Sequence, residues 1–428
     1  MKSQTILAWL CLLLAPLTAA AEDVAEQLLE RLERQDFAAA HTLFAAEIAA
    51  ALDVDQLART WQSLPEQLGE YRGRAGWRDE TVAGHPLRVA RLEFAAMALD
   101  ARIGVDQAGR INGFQLVPAT PAPPLAAAHS ETELLLAGDL PALLTLPDGP
   151  GPFPAAILVH GSGPNDRDQT IGPNRSFRDL AHGLAERGVA SLRWDKRPRV
   201  QPEAFVGQAF TVQQEVIDDA VAAMALLRGR SRIDPDRVAI VGHSLGAMLA
   251  PRIAARVEPR PVALVLLAAP ARRLQRLIVE QVSYIVGIDG QIDADEAEQL
   301  SALRLAAAEA DAAQDLNSAK SGLLGLPEAY LADLNAYDPV ATARELQLPM
   351  LIVQGGRDYQ VTVDGDFSIW QAAFESDPEV ELTLFPDLDH LFRAGEGRAT
   401  PASYLQQSVS FEPPVLDRIA DFVGRLRQ

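Results

Sequence analysis

Two hydrophobic patterns follow one another along the chain. Up to about residue 60, leucine and phenylalanine recur at the three- to four-residue spacing of amphipathic helices. After about Tyr71, short alternating runs broken by turn residues predict a small antiparallel sheet. This order predicts an α+β domain over residues 22–117. Residues 118–130 are rich in proline and alanine, which is typical of an extended linker.

From residue 131 to 428 the pattern changes to apolar runs that alternate with helical stretches. The runs that predict strands cover residues 155–159, 190–194, 238–241, 262–267, 350–353 and 380–384. This βαβ alternation predicts a mostly parallel sheet with helices on both faces. The interval before the fifth run is longer than a crossover needs and is rich in Ala, Leu and Glu. It predicts a helical cap over residues 271–345, although a surface excursion with no role at a site would have the same composition.

The start of the chain has the pattern of a signal peptide. An early lysine precedes an apolar run over residues 6–17 and small residues over 19–21. This predicts a signal peptide over residues 1–21 that is cleaved before Glu22, with an uncleaved anchor as the alternative. Cleavage would remove Cys11, the only cysteine, so the mature chain could form neither a disulfide nor a thiolate nucleophile. No later run reaches the ~18 apolar residues of a membrane span, and we predict a periplasmic or secreted protein.

Composition narrows the classes of partner. Apolar residues make up 48% of the chain, as in globular proteins with a well-formed core. The formal net charge of −20 repels phosphate backbones, so nucleic acid is not a predicted partner. The chain has no H-E-x-x-H, P-loop or EF-hand pattern, so no metal or other cofactor is predicted.

A candidate nucleophile lies in a G-x-S-x-G motif at residues 242–246. The motif follows the apolar run at 238–241 and precedes a helical run. Strand, sharp turn and helix form the context of a nucleophile elbow, which predicts Ser244 as the nucleophile. A serine hydroxyl is a weak nucleophile at neutral pH, so it needs a base and a group that orients the base.

The order of residues along the chain selects the base. The seven histidines are His41, His85, His129, His160, His182, His243 and His390. Only His390 follows the elbow, so the order Ser, acid, His makes it the predicted base. Asp358 is the predicted acid because it follows the strand run at 350–353 through a glycine turn. The competing carboxylates are Asp364, Asp366, Asp387 and Asp389.

An oxyanion hole needs two main-chain N–H groups. The residue after the nucleophile, Leu245, is predicted to supply one. The loop over residues 160–164, His-Gly-Ser-Gly-Pro, follows an early strand run and is predicted to supply the other. Ser162 is the predicted donor, with Gly163 as the alternative. His160 is predicted to brace this loop.

A balanced set of charges follows the same loop. Its members are Asp166, Arg167, Asp168, Arg193, Asp195, Lys196 and Arg197. Because opposite charges balance within it, we predict a mutually paired network that fixes the loop against the next strand. The alternative is an arginine that meets an anionic group of the substrate.

These motifs resemble those of a known family. The stretches at 160–168, 193–197, 355–358 and 389–390, together with the elbow, are similar to serine α/β-hydrolases of the bacterial carboxylesterase and dienelactone-hydrolase-like group. The resemblance covers residues 131–428 and departs from true dienelactone hydrolases, which use a cysteine nucleophile. The pattern of the first domain resembles an NTF2-like domain of unknown function that precedes secreted members.

The resemblance implies an α/β-hydrolase fold with a helical cap, preceded by the small α+β domain. It also implies a carboxylic ester hydrolase that acts on a small-molecule ester through a Ser-His-Asp acyl-enzyme. A serine peptidase or acyltransferase on the same fold is the nearest alternative. A non-catalytic binding protein that keeps the fold is another. The ester itself and the oligomeric state are left open.

Overall fold

The chain divides into two compact units, residues 1–122 and 123–428. The computed structural model describes residues 18–82, 85–95, 97–119, 129–406 and 410–426. The predicted signal peptide up to position 17 and the predicted linker over 120–128 lie outside these ranges. No helix in the described ranges is both long and apolar enough to cross a membrane.

In the described part of the first unit, four helices precede a four-stranded antiparallel sheet. The helices are α1 Thr18–Glu33, α2 Phe37–His41, α3 Ala46–Ala51 and α4 Val54–Leu68. The strands are β1 Tyr71–Val82, β2 His85–Phe94, β3 Ala98–Val105 and β4 Ile111–Pro118, paired in that order. Asp53 begins α4 with a capping box, in which its side chain accepts from the Gln56 amide. The predicted small α+β domain is confirmed.

The second unit contains the larger sheet and most of the helices. Its strands are β5 His129–Leu136, β6 Leu140–Pro147, β7 Phe153–Val159, β8 Thr170–Ile171, β9 Asn174–Arg175, β10 Ala190–Trp194, β11 Ile233–His243, β12 Leu264–Leu267, β13 Met350–Gly355 and β14 Val380–Phe385. Its helices are α5 Ser176–Glu186, α6 Arg197–Val200, α7 Asp218–Arg228, α8 Leu245–Ala254, α9 Leu274–Val286, α10 Ala294–Asp311, α11 Glu328–Asn335, α12 Pro339–Leu346, α13 Ser368–Phe374, α14 Ser403–Gln406 and α15 Pro413–Arg425.

Eight strands form one sheet in the order β14-β13-β12-β11-β7-β10-β6-β5. The pairs from β14 to β10 are parallel, whereas β6 pairs antiparallel with both β10 and β5. The predicted α/β-hydrolase fold with a mostly parallel sheet is confirmed. The β5–β6 hairpin at the sheet edge was not predicted.

The sheet is covered on both faces. Along β7, Ile157 and Val159 pack into the cluster that includes α7 and α8, whereas Ala156 and Leu158 pack into the cluster that includes α5 and α15. Both sets are fully buried, which explains the continuous apolar run in the sequence.

The long interval after β12 contains helices α9 to α12. Helices α9, α10 and α11 share a small apolar cluster of their own, which includes Ile278, Ala310 and Leu331. Helix α12 instead packs against α8, and its Val340 and Ala343 belong to the main core. Helices α9–α11 therefore form one helical segment, although α11 also contributes Tyr330 and Leu334 to the main core.

The topology brings the candidate site residues to one edge of the sheet. Ser244 directly follows β11, and Asp358 follows β13 by three residues. His390 lies in the loop after β14, and the loop at 160–164 directly follows β7. Because these four strands are parallel, their carboxyl ends meet at the edge where open α/β sheets bind ligands.

Candidate active site

Ser244 lies in a strained turn between β11 and α8. Its φ of 54° and ψ of −121° place a residue with a side chain in the left-handed region. A side chain at Gly242 would collide with the main chain of Gly246, and one at Gly246 would collide with Val159. Two glycines are therefore needed for the close approach of this turn to its neighbours. Ser244 is half-buried and lines a cavity.

The predicted acid and base lie in direct contact. Asp358 Oδ2 and His390 Nδ1 are 2.7 Å apart, and both residues are buried. Asp358 Oδ2 also accepts from Gln354 Nε2 at 3.2 Å, and its Oδ1 accepts from the amides of Gln360 at 2.8 Å and Val361 at 3.0 Å. Because donors surround the carboxylate, the imidazole carries its proton on Nδ1 and leaves the Nε2 lone pair free to act as a base.

The other candidate acids have different surroundings. Asp364 and Asp387 are exposed. Asp366 and Asp389 are buried, and each forms an ion pair with an arginine at 2.8 Å. Of the five carboxylates considered, the structure brings only Asp358 to His390.

Ser244 and His390 line the same cavity. Within the described part of the chain, no hydrogen bond joins the Ser244 hydroxyl to the His390 ring. Catalytic hydrogen bonds are often long before a substrate is bound and tighten in the complex. The missing contact between Ser244 and His390 is therefore compatible with a Ser-His-Asp series.

The amides predicted to form the oxyanion hole belong to residues that line the cavity. Leu245, Ser162 and Gly163 all line it, and their amides donate to no group among the described residues. Gly161 lies so close that a side chain there would approach Ser244 Cβ to 3.2 Å. This approach brings the loop beside the nucleophile. Ser162 and Gly163 remain alternatives for the second donor.

The cavity has a volume of about 620 Å³ and lies between the sheet edge and the helical segment α9–α11. Its lining is mainly apolar and includes Phe205, Phe210, Met248, Leu274, Leu277 and Ile278. Two further lining residues, Val206 and Leu324, are 77% and 69% exposed, so they mark an apolar mouth. Glu215 also lines the cavity but is paired with the buried Lys196 at 2.6 Å. Such a cavity suits a neutral, largely apolar ligand.

Two side chains near the site, those of Gln169 and His243, were not predicted to have a role there. Gln169 Oε1 accepts from the Gly161 amide at 3.1 Å, and Gln169 Nε2 lies 3.0 Å from His243 Nδ1. His243 Nε2 lies 2.8 Å from the main-chain oxygen of His390. Lys196 Nζ donates to the oxygen of Gly161 at 3.1 Å. Lys196 belongs to the charged set that was predicted to fix this loop, and His243 lies inside the elbow motif, whereas no local pattern marks Gln169.

The cations of the charged set beyond the loop pair mostly with carboxylates outside the set. Lys196 pairs with Glu215, Arg197 with Asp219 and Arg193 with Glu131. Within the set, Arg193 Nε donates to Asp168 at 3.0 Å, and the Arg193 Nη2 group donates to Glu131 at 2.8 Å. The Asp195 carboxylate accepts from the Arg167 amide at 2.7 Å. The prediction of a mutually paired network is therefore confirmed for Arg193 with Asp168 and wrong for Lys196 and Arg197, whose partners lie outside the set. The buried Arg193 does not line the cavity.

One group in the described ranges has the composition of a metal site. Potential ligand atoms of His129, Glu131 and His182 lie within 4.8 Å of one another. Glu131 Oε1 already accepts from His182 at 2.9 Å and from Arg193 at 2.8 Å, so an arginine compensates its charge. The group does not line the cavity, and it has no part in the chemistry considered below.

Two buried histidines are held in the neutral form. Burial lowers the pKa of His243 to about 3, and the nearby His390 adds to the effect. Burial, together with Lys196, likewise lowers the pKa of His160 to about 3. The His160 ring lies 4.7 Å from the ring of Phe177, and its buried Nε2 has no partner in the described structure. The His160 ring therefore packs against Phe177 and does not line the cavity, and its role in bracing the loop stays a prediction.

These two histidines predict a dependence of stability on pH. In the unfolded chain they take up protons near pH 6.5, but in the folded chain only near pH 3. Between these values the unfolded chain holds more protons, so the free energy of unfolding falls as the pH drops and is fully retained above about 6.5. His160→Leu should reduce this slope by about one proton, or ~1.4 kcal/mol per pH unit. Urea unfolding of both proteins at several values between pH 7.5 and 4.5 measures it, and equal slopes would contradict the assignment.

Comparison with known proteins gives the following similarities. The model of the alpha/beta hydrolase family matches residues 156–397, and that of a protein of unknown function, DUF3887, matches residues 25–114. The esterase EstD of Thermotoga maritima is 36% identical over 398 residues, which cover 91% of this chain and 92% of the esterase.

Solved structures show more distant likenesses. An esterase of Pyrococcus furiosus is 14% identical, with a TM-score of 0.44, and covers 74% of this chain and 100% of its own. A puromycin-hydrolysing peptidase of Mycobacterium tuberculosis is 17% identical, with a TM-score of 0.47, and covers 82% of this chain and 48% of its own. The family model spans more than half of this chain, and the Thermotoga relative spans nearly all of it.

Proposed function

This chain belongs to the alpha/beta hydrolase family, and we propose that it is an exported esterase that uses Ser244, His390 and Asp358 as a catalytic triad. The similarity to an esterase over 91% of the chain supports the reaction class. The observation that carries the mechanism is the 2.7 Å contact of Asp358 with His390, which lines the same cavity as Ser244.

The proposed reaction proceeds in two halves. His390 Nε2 takes the proton of Ser244 while the serine oxygen attacks the ester carbonyl carbon. The tetrahedral intermediate carries its negative charge on the former carbonyl oxygen, which accepts from the amides of Leu245 and Ser162. His390 then gives the proton to the departing alcohol oxygen, and the acyl group stays on Ser244. Water, deprotonated by His390, releases the acid in the same way.

Asp358 supports this reaction through its position. Its carboxylate holds the imidazole with Nδ1 protonated and stabilises the imidazolium that forms during each half. The amides of Gln360 and Val361 fix the other carboxylate oxygen, so the acid cannot turn away from His390. The base is therefore oriented before the substrate arrives.

The apolar cavity supports neutral esters with a hydrophobic acyl or alcohol group as substrates. A volume of about 620 Å³ accommodates a medium-length acyl chain. Val206 and Leu324 extend the apolar lining to the solvent edge. A chain that outgrows the interior would therefore still lie against apolar side chains at the mouth.

A panel of p-nitrophenyl esters from acetyl to dodecanoyl tests this proposal. We expect turnover with kcat/KM rising toward medium chains, because each buried CH₂ contributes roughly 0.8 kcal/mol. Val206→Asp should lower kcat/KM for the decanoyl ester several-fold and leave kcat/KM for the acetyl ester nearly unchanged, because only the longer chain reaches the mouth.

Export is tested on the same preparation. The protein is recovered from the periplasm of expressing cells, and mass spectrometry should place its first residue at Glu22.

Leu135→Asp is the matched control. Leu135 is 65% exposed and lies on β5, outside the cavity lining, so it should not change the chain-length profile. Aminoacyl p-nitroanilides are measured in parallel. Turnover of these amides without turnover of any ester would replace the esterase by a peptidase, and a start at Met1 would remove export from the proposal.

A further inference from the structure

Both main-chain polar groups of Gly161 are held by side chains. The Gly161 amide donates to Gln169 Oε1 at 3.1 Å. The Gly161 oxygen accepts from Lys196 Nζ at 3.1 Å and from Asn165 Nδ2 at 3.2 Å. Gln169 and Lys196 are both 2% exposed, so water does not compete for these contacts. Both main-chain groups of one residue are thus fixed by buried side chains.

This arrangement also determines the direction of the next amide. In a trans peptide the carbonyl of one residue and the N–H of the following residue point in opposite directions. Because Lys196 holds the Gly161 oxygen, the Ser162 N–H is directed away from Lys196. That amide has no partner among the described residues and belongs to a residue that lines the cavity. The contacts of Gly161 therefore aim the predicted oxyanion donor.

These hydrogen bonds continue through Gln169 and His243 to the main chain of His390. The donors and acceptors along this chain of hydrogen bonds can be assigned in only one way. The Gly161 amide can only donate, so the Gln169 oxygen faces it and the Gln169 Nε2 faces His243. The His390 main-chain oxygen can only accept, so His243 Nε2 carries the proton. His243 Nδ1 is then an acceptor, which matches the donor that Gln169 presents. Every member of the buried chain is satisfied in this arrangement and in no other.

We propose that Gln169, His243 and Lys196 are positioning residues, which hold the oxyanion loop and the His390 main chain in one hydrogen-bonded frame around Ser244. The frame joins a loop after β7 to a loop after β14, which no strand pairing connects. Its effect is to fix the spacing between the oxyanion donor and the base. This inference rests on the proposed esterase function.

Two substitutions of His243 separate its contacts. Asparagine replaces the Nδ1 side of the ring but cannot reach the His390 oxygen, whereas glutamine can place a donor near the former Nε2. We expect His243→Asn to lower kcat for p-nitrophenyl butyrate about 10- to 100-fold with KM changed less than threefold, because small misplacements of catalytic groups have effects of this size. His243→Gln should retain kcat within about threefold to fivefold of the unchanged protein.

A double variant tests whether the residues act as one frame. Gln169→Met removes both hydrogen bonds of Gln169 at similar volume and should lower kcat about tenfold. If both residues act through one chain of hydrogen bonds, the double variant Gln169→Met with His243→Asn should lose little more kcat than the single variant with the larger loss. Lys196 is left unchanged because its removal would leave the Glu215 charge buried and unpaired.

The controls are Gln371→Met on the exposed side of α13 and His182→Asn, neither of which lines the cavity. All variants are assayed well below their unfolding temperatures. Unchanged kcat in folded Gln169 and His243 variants, losses that multiply in the double variant, or no recovery in His243→Gln would overturn the frame. If Ser244→Ala retains turnover, the proposed function fails. If Ser244→Ala is inactive while the other variants keep full kcat, only the frame fails.

Discussion

Ser244→Ala is expected to lower kcat for p-nitrophenyl butyrate by about 10⁴-fold or more, the range seen when a serine nucleophile is removed from a triad. The loss follows because the acyl-enzyme cannot form without the serine oxygen. The turn holds this residue at φ 54° beside the cavity, and alanine keeps the same backbone. The measurement is steady-state kinetics, with fluorophosphonate labelling followed by mass spectrometry to identify the modified residue.

Ser301→Ala is the control for this substitution. Ser301 is exposed on α10, and its loss should leave both turnover and labelling unchanged. The assignment of the nucleophile would be wrong if folded Ser244→Ala kept more than about a tenth of the turnover, or if the probe labelled another residue.

Asp358→Asn is expected to lower kcat by about 10³- to 10⁴-fold while the protein stays folded, in line with the effect of this change in other triads. The amides of Gln360 and Val361 will hold the asparagine oxygen in the place of Oδ1. The asparagine NH₂ then faces His390 Nδ1. A donor at that point selects the imidazole with its proton on Nε2, which cannot accept the proton of Ser244. KM should change little because Asp358 does not line the cavity.

Asp364→Asn provides a matched comparison in the same region. Asp364 is exposed, so its kcat should remain within about twofold of the unchanged protein. The two variants are compared by kcat, KM and thermal unfolding at one pH. A loss of less than tenfold in folded Asp358→Asn would show that another group orients the base.

The sequence was most informative where the chemistry is local or follows chain order. The elbow motif contains its own strand, turn and helix signals, so Ser244 could be located within a few residues. Chain order left His390 as the single histidine after the elbow. Asp358 could be placed because it follows a strand run through a glycine turn. These inferences required only neighbouring residues and the direction of a parallel sheet.

Contacts between distant segments could not be predicted in this way. Gln169 and His243 are 74 residues apart, and His243 contacts the main chain of a residue 147 positions later. Nothing local to Gln169 distinguishes it from a surface glutamine. The β5–β6 hairpin was missed for a related reason, because its antiparallel edge strands lie outside the βαβ alternation used to predict the sheet. The placement of α12 in the main core likewise depends on tertiary packing.

The backbone strain at Ser244 lowers the stability of the fold at a residue that the proposed activity requires. A residue with a side chain at this φ costs of order 1–3 kcal/mol, in a protein class whose total stability is commonly ~5–15 kcal/mol. Glycine would adopt the same conformation with little penalty. A gene copy freed from the need to hydrolyse its substrate would therefore become more stable by losing this serine. In paralogues that have lost catalytic activity, we accordingly expect glycine to replace this serine early in their divergence, before the surrounding core changes.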